Sequence, residues 1–152
     1  MGKSAKISNV PNAPAFSAYR STTNQSVTSG SWTKVQAQTE EFDTASAYDN
    51  ATNYRFTPQV AGYYQVSGNV YFTGSNVTTV GVSIYKNGSN FKLGTSLAGT
   101  PNSEAGASVS SLIYLNGSTD YVELFGIAAG TSPAIYAGQN LSWFQASLVR
   151  PA

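Results

Sequence analysis

Apolar residues in this chain recur at every second position, and nowhere do they keep a 3.6-residue period for three turns. In the segment YYQVSGNVYF, residues 63–72, Tyr64, Val66, Val70 and Phe72 share one face with Gly68, while Tyr63, Gln65, Ser67, Asn69 and Tyr71 share the other. In VGVSIYKNGSNFKL, Val80, Val82 and Ile84 alternate up to Asn87-Gly88, and Asn-Gly between alternating runs predicts a hairpin. A second such pair, Asn116-Gly117, separates VSSLIYL from DYVELFGI. The last predicted strand is LSWFQASLV, with Leu141, Trp143, Gln145, Ser147 and Val149 opposed to Phe144, Ala146 and Leu148. Between these runs lie the turn-rich stretches STTNQSVTSGS, TGSNVTT, GTSLAGTPNSEAGAS and AAGTSPAIYAGQN. Many short strands, frequent turns and no helix predict an all-β fold, an antiparallel two-sheet jelly-roll sandwich. Residues 1–14 carry prolines at 11 and 14 and no alternation, so they read as an extended arm before a jelly-roll domain of residues 15–152.

The two faces of residues 63–72 predict different surroundings. Tyr64, Val66 and Phe72 suit a sandwich core. The opposite face is too polar for a core and too aromatic for plain solvent, a mixture typical of subunit interfaces, where Tyr is enriched. Tyr63, Gln65, Ser67 and Tyr71 are therefore expected to meet another copy of the chain, with Trp143 of the closing strand beside them. Which face of that strand points the same way stays open, because a one-residue shift exchanges the two.

Composition narrows the chemistry. The 152 residues include no cysteine, so there is neither a disulfide framework nor a thiolate metal site. Histidine is absent too, which removes the usual general base and the commonest metal ligand. Eight basic against seven acidic residues leave a formal net charge of +1, with no large field to attract nucleic acid or an anionic membrane. No apolar run approaches a membrane span, and the start MGKSAKISNVPNAP lacks the apolar stretch of a secretory signal. Six Asn-x-Ser/Thr triplets, at Asn24, Asn50, Asn76, Asn87, Asn116 and Asn140, read as a by-product of Asn- and Ser-rich loops. A glycosidase needs two opposed carboxylates. Glu40 and Glu41 would point to opposite faces of a strand, Asp49 is explained by a turn, and Glu104, Asp120 and Glu123 read, with Asp43, as solvated charges. Asp120 in particular is assigned to a solvated turn. No calcium-loop or phosphate-cradling motif is present. The expectation is a non-enzyme without cofactor or metal.

The aromatic stretch of residues 48–72 resembles the globular head of complement component one-q, whose jelly roll is shared with the tumour necrosis factor superfamily. The resemblance is carried by Tyr48-Asp49, by Tyr54 and Phe56, by Pro58 and Gly62, and by Tyr63-Tyr64. It extends to the hairpin IYKNG, Ile84 to Gly88, and to the closing strand with Ser142, Phe144, Ala146 and Leu148. AFSAYRS and SWTKVQAQTEEFDTA fit ahead of these, so the resemblance spans residues 15–149. Two departures are NGSTD, where the family has Gly-Asp, and Ala146, where it has glycine. The resemblance implies a homotrimer in which the sheet bearing residue 63 packs around a threefold axis.

Animal relatives of this kind carry a signal peptide and often a collagen-like stalk, and this chain shows neither. Similar heads occur in bacteriophage structural proteins, and the polar, Cys-free and His-free composition suits a virion protein assembled in the host cytoplasm. A fibre tip normally ends a longer chain with a shaft, whereas Met1 stands only about 14 residues before the first predicted strand. The expected function is therefore a trimeric capsid decoration (cement) protein that binds the major capsid protein through its arm, with Lys3, Lys6, Ile7 and Val10 in contact. The alternative is the receptor-binding tip of a tail or head fibre, whose loops would hold a host surface glycan or protein.

Overall fold

The computed structural model describes residues 13–152, and every regular element among them is a strand. In chain order these are β1 (Ala15–Tyr19), β2 (Gln25–Ser26), β3 (Thr33–Lys34), β4 (Thr39–Asp43), β5 (Tyr48–Asp49), β6 (Arg55–Phe56), β7 (Gly62–Lys86), β8 (Ser89–Leu115), β9 (Val122–Ile135) and β10 (Trp143–Pro151). All pairings are antiparallel. At 25 and 27 residues, β7 and β8 far exceed the usual strand of about 5–6 residues.

Their length has a simple cause: together they form one hairpin that is folded over. The first limb of β7, from Gly62 to Thr73, pairs with the return limb of β8, Glu104 to Leu115, and with β10. The second limb, Thr79 to Lys86, pairs with the start of β8 and with β9. Register breaks between Thr73 and Thr79 mark the bend. One layer is thus β4-β1-β10 followed by the first limb of β7 and the return limb of β8. The other holds the remaining limbs with β9, to which β2, β3 and β6 are paired, and β5 beyond β6. Because β7 and β8 belong to both layers, the hydrogen-bonded path is continuous. Stretches such as TGSNVTT, expected as loops, carry ladder pairs through the bend.

The core alternates as the sequence predicts. Tyr64, Val66, Val70 and Phe72 have no exposed surface, and Phe16, Phe56 and Phe144 join them from β1, β6 and β10. Phe16 stacks on Tyr48 at 4.4 Å and on Phe56 at 4.7 Å, and Phe56 meets Tyr64 edge-on at 5.6 Å. The polar tips are satisfied: the Tyr64 hydroxyl donates to the Val60 carbonyl at 2.7 Å and the Tyr48 hydroxyl to Ala37 at 3.0 Å. Two glycines bring the layers together. A Cβ on Gly68 would lie 2.7 Å from a Leu124 methyl, and one on Gly126 would lie 2.7 Å from Phe72 Cζ.

The hairpin tip turns through Asn87 and Gly88, whose φ angles of 53° and 79° suit the tight turn that Asn-Gly favours. Folding over brings this tip back to the hairpin base. Asn87 Nδ2 donates to Asp120 Oδ1 at 2.8 Å, and the Tyr121 N–H donates to Asn87 Oδ1 at 3.0 Å. Asp120 Oδ2 takes Lys86 Nζ at 3.0 Å and the Asn116 N–H at 3.1 Å. Lys86 also donates to the Tyr114 carbonyl at 2.8 Å. The expectation of a solvated Asp120 is corrected here: its side chain is 14% exposed and ties two Asn-Gly turns together.

Phe56→Ala or Tyr64→Ala is expected to cost about 3–5 kcal/mol through the cavity left in the aromatic cluster. Equilibrium urea unfolding measures this directly.

Candidate oligomerisation surface

The outer face of the first layer gathers the residues that the sequence assigns to an interface. Tyr63, Gln65, Ser67, Asn69 and Tyr71 alternate with the core positions of β7 and point away from them. The ladder sets Tyr63 opposite Tyr114, Gln65 opposite Leu112 and Ser67 opposite Ser110 on β8. On the other side Trp143 pairs with Asn69, Gln145 with Ser67 and Ser147 with Gln65. The open question of the closing strand is thereby answered. Trp143, Gln145 and Ser147 lie on the outer face, and Phe144, Ala146 and Leu148 are buried.

This face has an apolar end and a polar middle. At the end, Tyr63 is 43% exposed, Leu112 53%, Tyr114 44% and Val149 43%. The Tyr63 and Tyr114 rings lie 5.5 Å apart. With Arg150, Pro151 and Ala152 these four line an open depression of about 700 Å³. In the middle, Gln65 donates to Ser110 Oγ at 2.7 Å and Gln145 to Ser67 Oγ at 3.2 Å, so the amides are held in place. Farther along, Tyr71 is half-buried and close over Gly106, where a Cβ would meet its ring at 2.9 Å. Its N–H donates to Ser142 Oγ at 3.1 Å, and its carbonyl accepts the Tyr136 N–H at 2.8 Å. Trp143 is half-buried beside Asn69. Apart from Arg150 at the rim, none of these side chains is charged.

Sequence reasoning missed Leu112 and Tyr114, and the place of Val149. In SSLIYL both faces are apolar, so alternation alone does not say which side is core. Alternation sets Val149 on the face of Trp143, but its place beside Tyr63 depends on the register shift between Leu148 and Arg150. A second exposed apolar strip, Phe91 and Leu93, lies on the edge limb of β8. Lys86 Nζ joins the two, 5.8 Å from the Phe91 ring and 6.0 Å from that of Tyr114.

The arm residues Lys3, Lys6, Ile7 and Val10 lie outside the described residues. Where the description begins, the Ala13 carbonyl accepts from Thr44 Oγ1 at 2.9 Å and the Pro14 carbonyl from the Leu148 N–H at 3.0 Å.

The carboxylates are largely taken up by structural bonds. Glu41 accepts from Ser17 Oγ at 2.5 Å and from Gln139 Nε2, which lower its pKa. Asp43 accepts the Tyr48 N–H at 2.7 Å. Glu123 overturns its reading as a solvated charge: it is 4% exposed and paired with Lys34 at 2.5 Å, while Lys34 also donates to the Asn53 carbonyl at 3.1 Å. Among the described residues no group of three acidic side chains is placed to hold a metal ion.

Several solved structures share this arrangement. The globular domain of zebrafish complement 1qA superposes with a TM-score of 0.68 at 17% identity, covering 92% of this chain and 99% of that one. The Eiger tumour necrosis factor of S. frugiperda gives 0.68 at 11% identity over 93% and 96% of the two chains. Murine APRIL gives 0.64 at 11% identity over 90% and 98%. The fold is the jelly roll of complement one-q heads and tumour necrosis factor ligands. At these identities the likeness is one of fold. No family model matches the sequence, and no curated protein sequence does.

Within this jelly roll Asp49 holds the turn that leads into β6. Its carboxylate accepts N–H groups of Thr52 at 2.9 Å, Ala51 at 3.0 Å and Asn53 at 3.1 Å, with the Asn53 amide at 2.7 Å. These bonds bring its pKa from the ordinary 3.8 down to about 2. The Asp120 pKa is lowered as well, first by the Asn87 side chain. A carboxyl lowered in the folded state contributes stability that is full above its unfolded pKa and fades as pH falls through the folded value. Stability is therefore expected to decline as the pH drops from about 4 toward 2. Asp49→Asn should flatten that decline in acid unfolding followed by circular dichroism, and an unchanged acid limb would count against it.

Proposed function

We propose that this protein is a non-enzymatic, homotrimeric structural protein of a virion that decorates and stabilises the capsid surface. The observation that carries the self-association is the aromatic outer face around Tyr63 and Tyr114, with four large apolar side chains each at least two-fifths exposed. Contiguous exposed apolar surface of this kind marks an interaction site. Arg150 stands at the rim of the depression, so the aromatic and aliphatic centre can meet other copies without burying a charge.

A closed ring is supported by the second strip. Phe91 and Leu93 lie on the sandwich edge rather than on the face. An interface that covers both strips sets the face of one copy against the edge of the next. Such head-to-tail contacts form a ring when the rotation between copies closes, and the complement one-q and tumour necrosis factor resemblance implies a ring of three. The capsid placement is supported by the low charge, the absence of cysteine and histidine, and the arm with Lys3 and Lys6. Three tethered arms raise local concentration and turn weak contacts into firm attachment.

The second reading, a receptor-binding fibre tip, has one observation in its favour. Opposite the Tyr63–Tyr114 end, residues 21–31, 73–79, 97–105 and 128–140 hold a single charged residue, Glu104. Such a hydroxyl- and amide-rich end suits contact with an uncharged partner.

Tyr63→Lys is expected to convert a trimer into smaller species, because three added ammonium groups would have to be buried beside one another. Light scattering on wild type and variant measures this, and a single-copy mass for the wild type at micromolar concentration would sink the proposal. Deleting residues 2–13 should leave assembly intact but abolish binding to empty capsids in a sedimentation assay. A truncated protein that instead competes with phage adsorption to host cells would favour the fibre-tip reading.

A further inference from the structure

The bend in the β7–β8 hairpin encloses a small pocket. Its floor is apolar, built by Val77 and Val80, which are 3% and 2% exposed, with Ala105 beside them and Leu97 as one wall. Thr78, Thr100 and Asn102 supply its polar lining. Thr78 Oγ1 makes one long bond, 3.5 Å, to the Ala129 carbonyl. The side chains of Thr100 and Asn102 make none among the described residues, so their donors and acceptors are free for a ligand. The pocket holds about 140 Å³. That is roughly the space of five waters in bulk and well below the ~300–1,000 Å³ of cofactor and drug sites.

These features together select a ligand class. The pocket is open to solvent, so a six-membered sugar ring can seat in it while the rest of a glycan chain stays outside. An apolar floor beside a polar lining matches a pyranose, which has an apolar C–H face and hydroxyls around its edge. The surrounding segments hold no charge except Glu104, so an acidic or sulfated sugar would find no cation to pair with. We propose that this bend pocket binds one pyranose residue of a neutral glycan. Leu97 and Val77 would carry the apolar contact, and Thr100 and Asn102 the hydroxyls. The site lies within one copy of the chain, beyond the bend of β7 from the Tyr63 patch, with Val77 its first lining residue on that strand. It rests on the fibre-tip reading only for its biological use.

The test is a titration of the isotope-labelled full chain, followed by amide chemical shifts. The probes are methyl glycosides of glucose, galactose, mannose and N-acetylglucosamine, with N-acetylneuraminic acid as the charged comparison. Saturable millimolar binding of at least one neutral glycoside is expected, with shifts confined to residues 77–80 and 97–105. Leu97→Glu and, separately, Asn102→Ala change exposed positions, so both should keep the wild-type melting temperature. Each should weaken the response by roughly tenfold or more. No response to any neutral probe, a response elsewhere in the chain, preference for the acidic sugar, or unchanged affinity in both folded variants would overturn the proposal. Glycoside binding without competition for phage adsorption would uphold the pocket while removing the fibre-tip reading. Competition for adsorption without glycoside binding would overturn the pocket alone.

Discussion

The close approach of the two layers at Gly68 and Gly126 governs what the rest of the molecule can do. Leu124 reaches into the space above Gly68, and Phe72 into that above Gly126, so each glycine receives a large side chain from the opposite layer. A larger residue at either place would push the layers apart where Phe16, Phe56 and Tyr64 need them close. Interiors are packed like organic crystals, so such a displacement is felt across the core. The folded hairpin follows from this constraint. Its two limbs must lie face to face at the same spacing, which returns Asn87 to within hydrogen-bonding distance of Asp120.

Much of this was legible in the chain because alternation is decisive where one face is apolar and the other is not. Tyr64, Val66, Val70 and Phe72 fall inward as read, and the Asn87-Gly88 pair turns as read. Legibility ended at three kinds of position. The bend of β7 is made of Gly, Ser, Asn and Thr and so looks like a loop, yet its backbone keeps its ladder partners. Leu112 and Tyr114 flank the equally apolar Ile113, and the pattern has no polar face to orient it. Glu123 and Asp120 look like ordinary surface charges, because their partners Lys34 and Asn87 are far away in sequence.

Those long-range partners also account for the division of surface chemistry. Charged side chains are used around Lys34, Asp49, Lys86 and Asp120 to hold turns. The bend end is anchored instead by neutral bonds, such as those from Gly130 to Ser29 Oγ and from Ala137 to Asn24 Oδ1. One end is fixed by ions and the other by amides and hydroxyls. Of the two ends, the second is the one nearly free of charge. The apolar outer face lies between them, and its polar middle keeps the Gln65 and Gln145 side chains committed to neighbouring serines.

The position of β10 has a consequence for how the molecule is made. It is the last strand in chain order, yet it lies between β1 and β7, with Ala15 opposite Ser147 and Val66 opposite Ala146. During synthesis β1 and the first limb of β7 emerge with adjoining edges unpaired, and no earlier segment can fill that gap. Closing a loop between partners so far apart in sequence is slow, and unpaired strand edges invite association with other chains. The nascent protein therefore spends its vulnerable interval waiting for a single short strand. Once β10 slots in, both edges are satisfied in one step, and the face that carries Trp143, Gln145 and Ser147 comes into being only then.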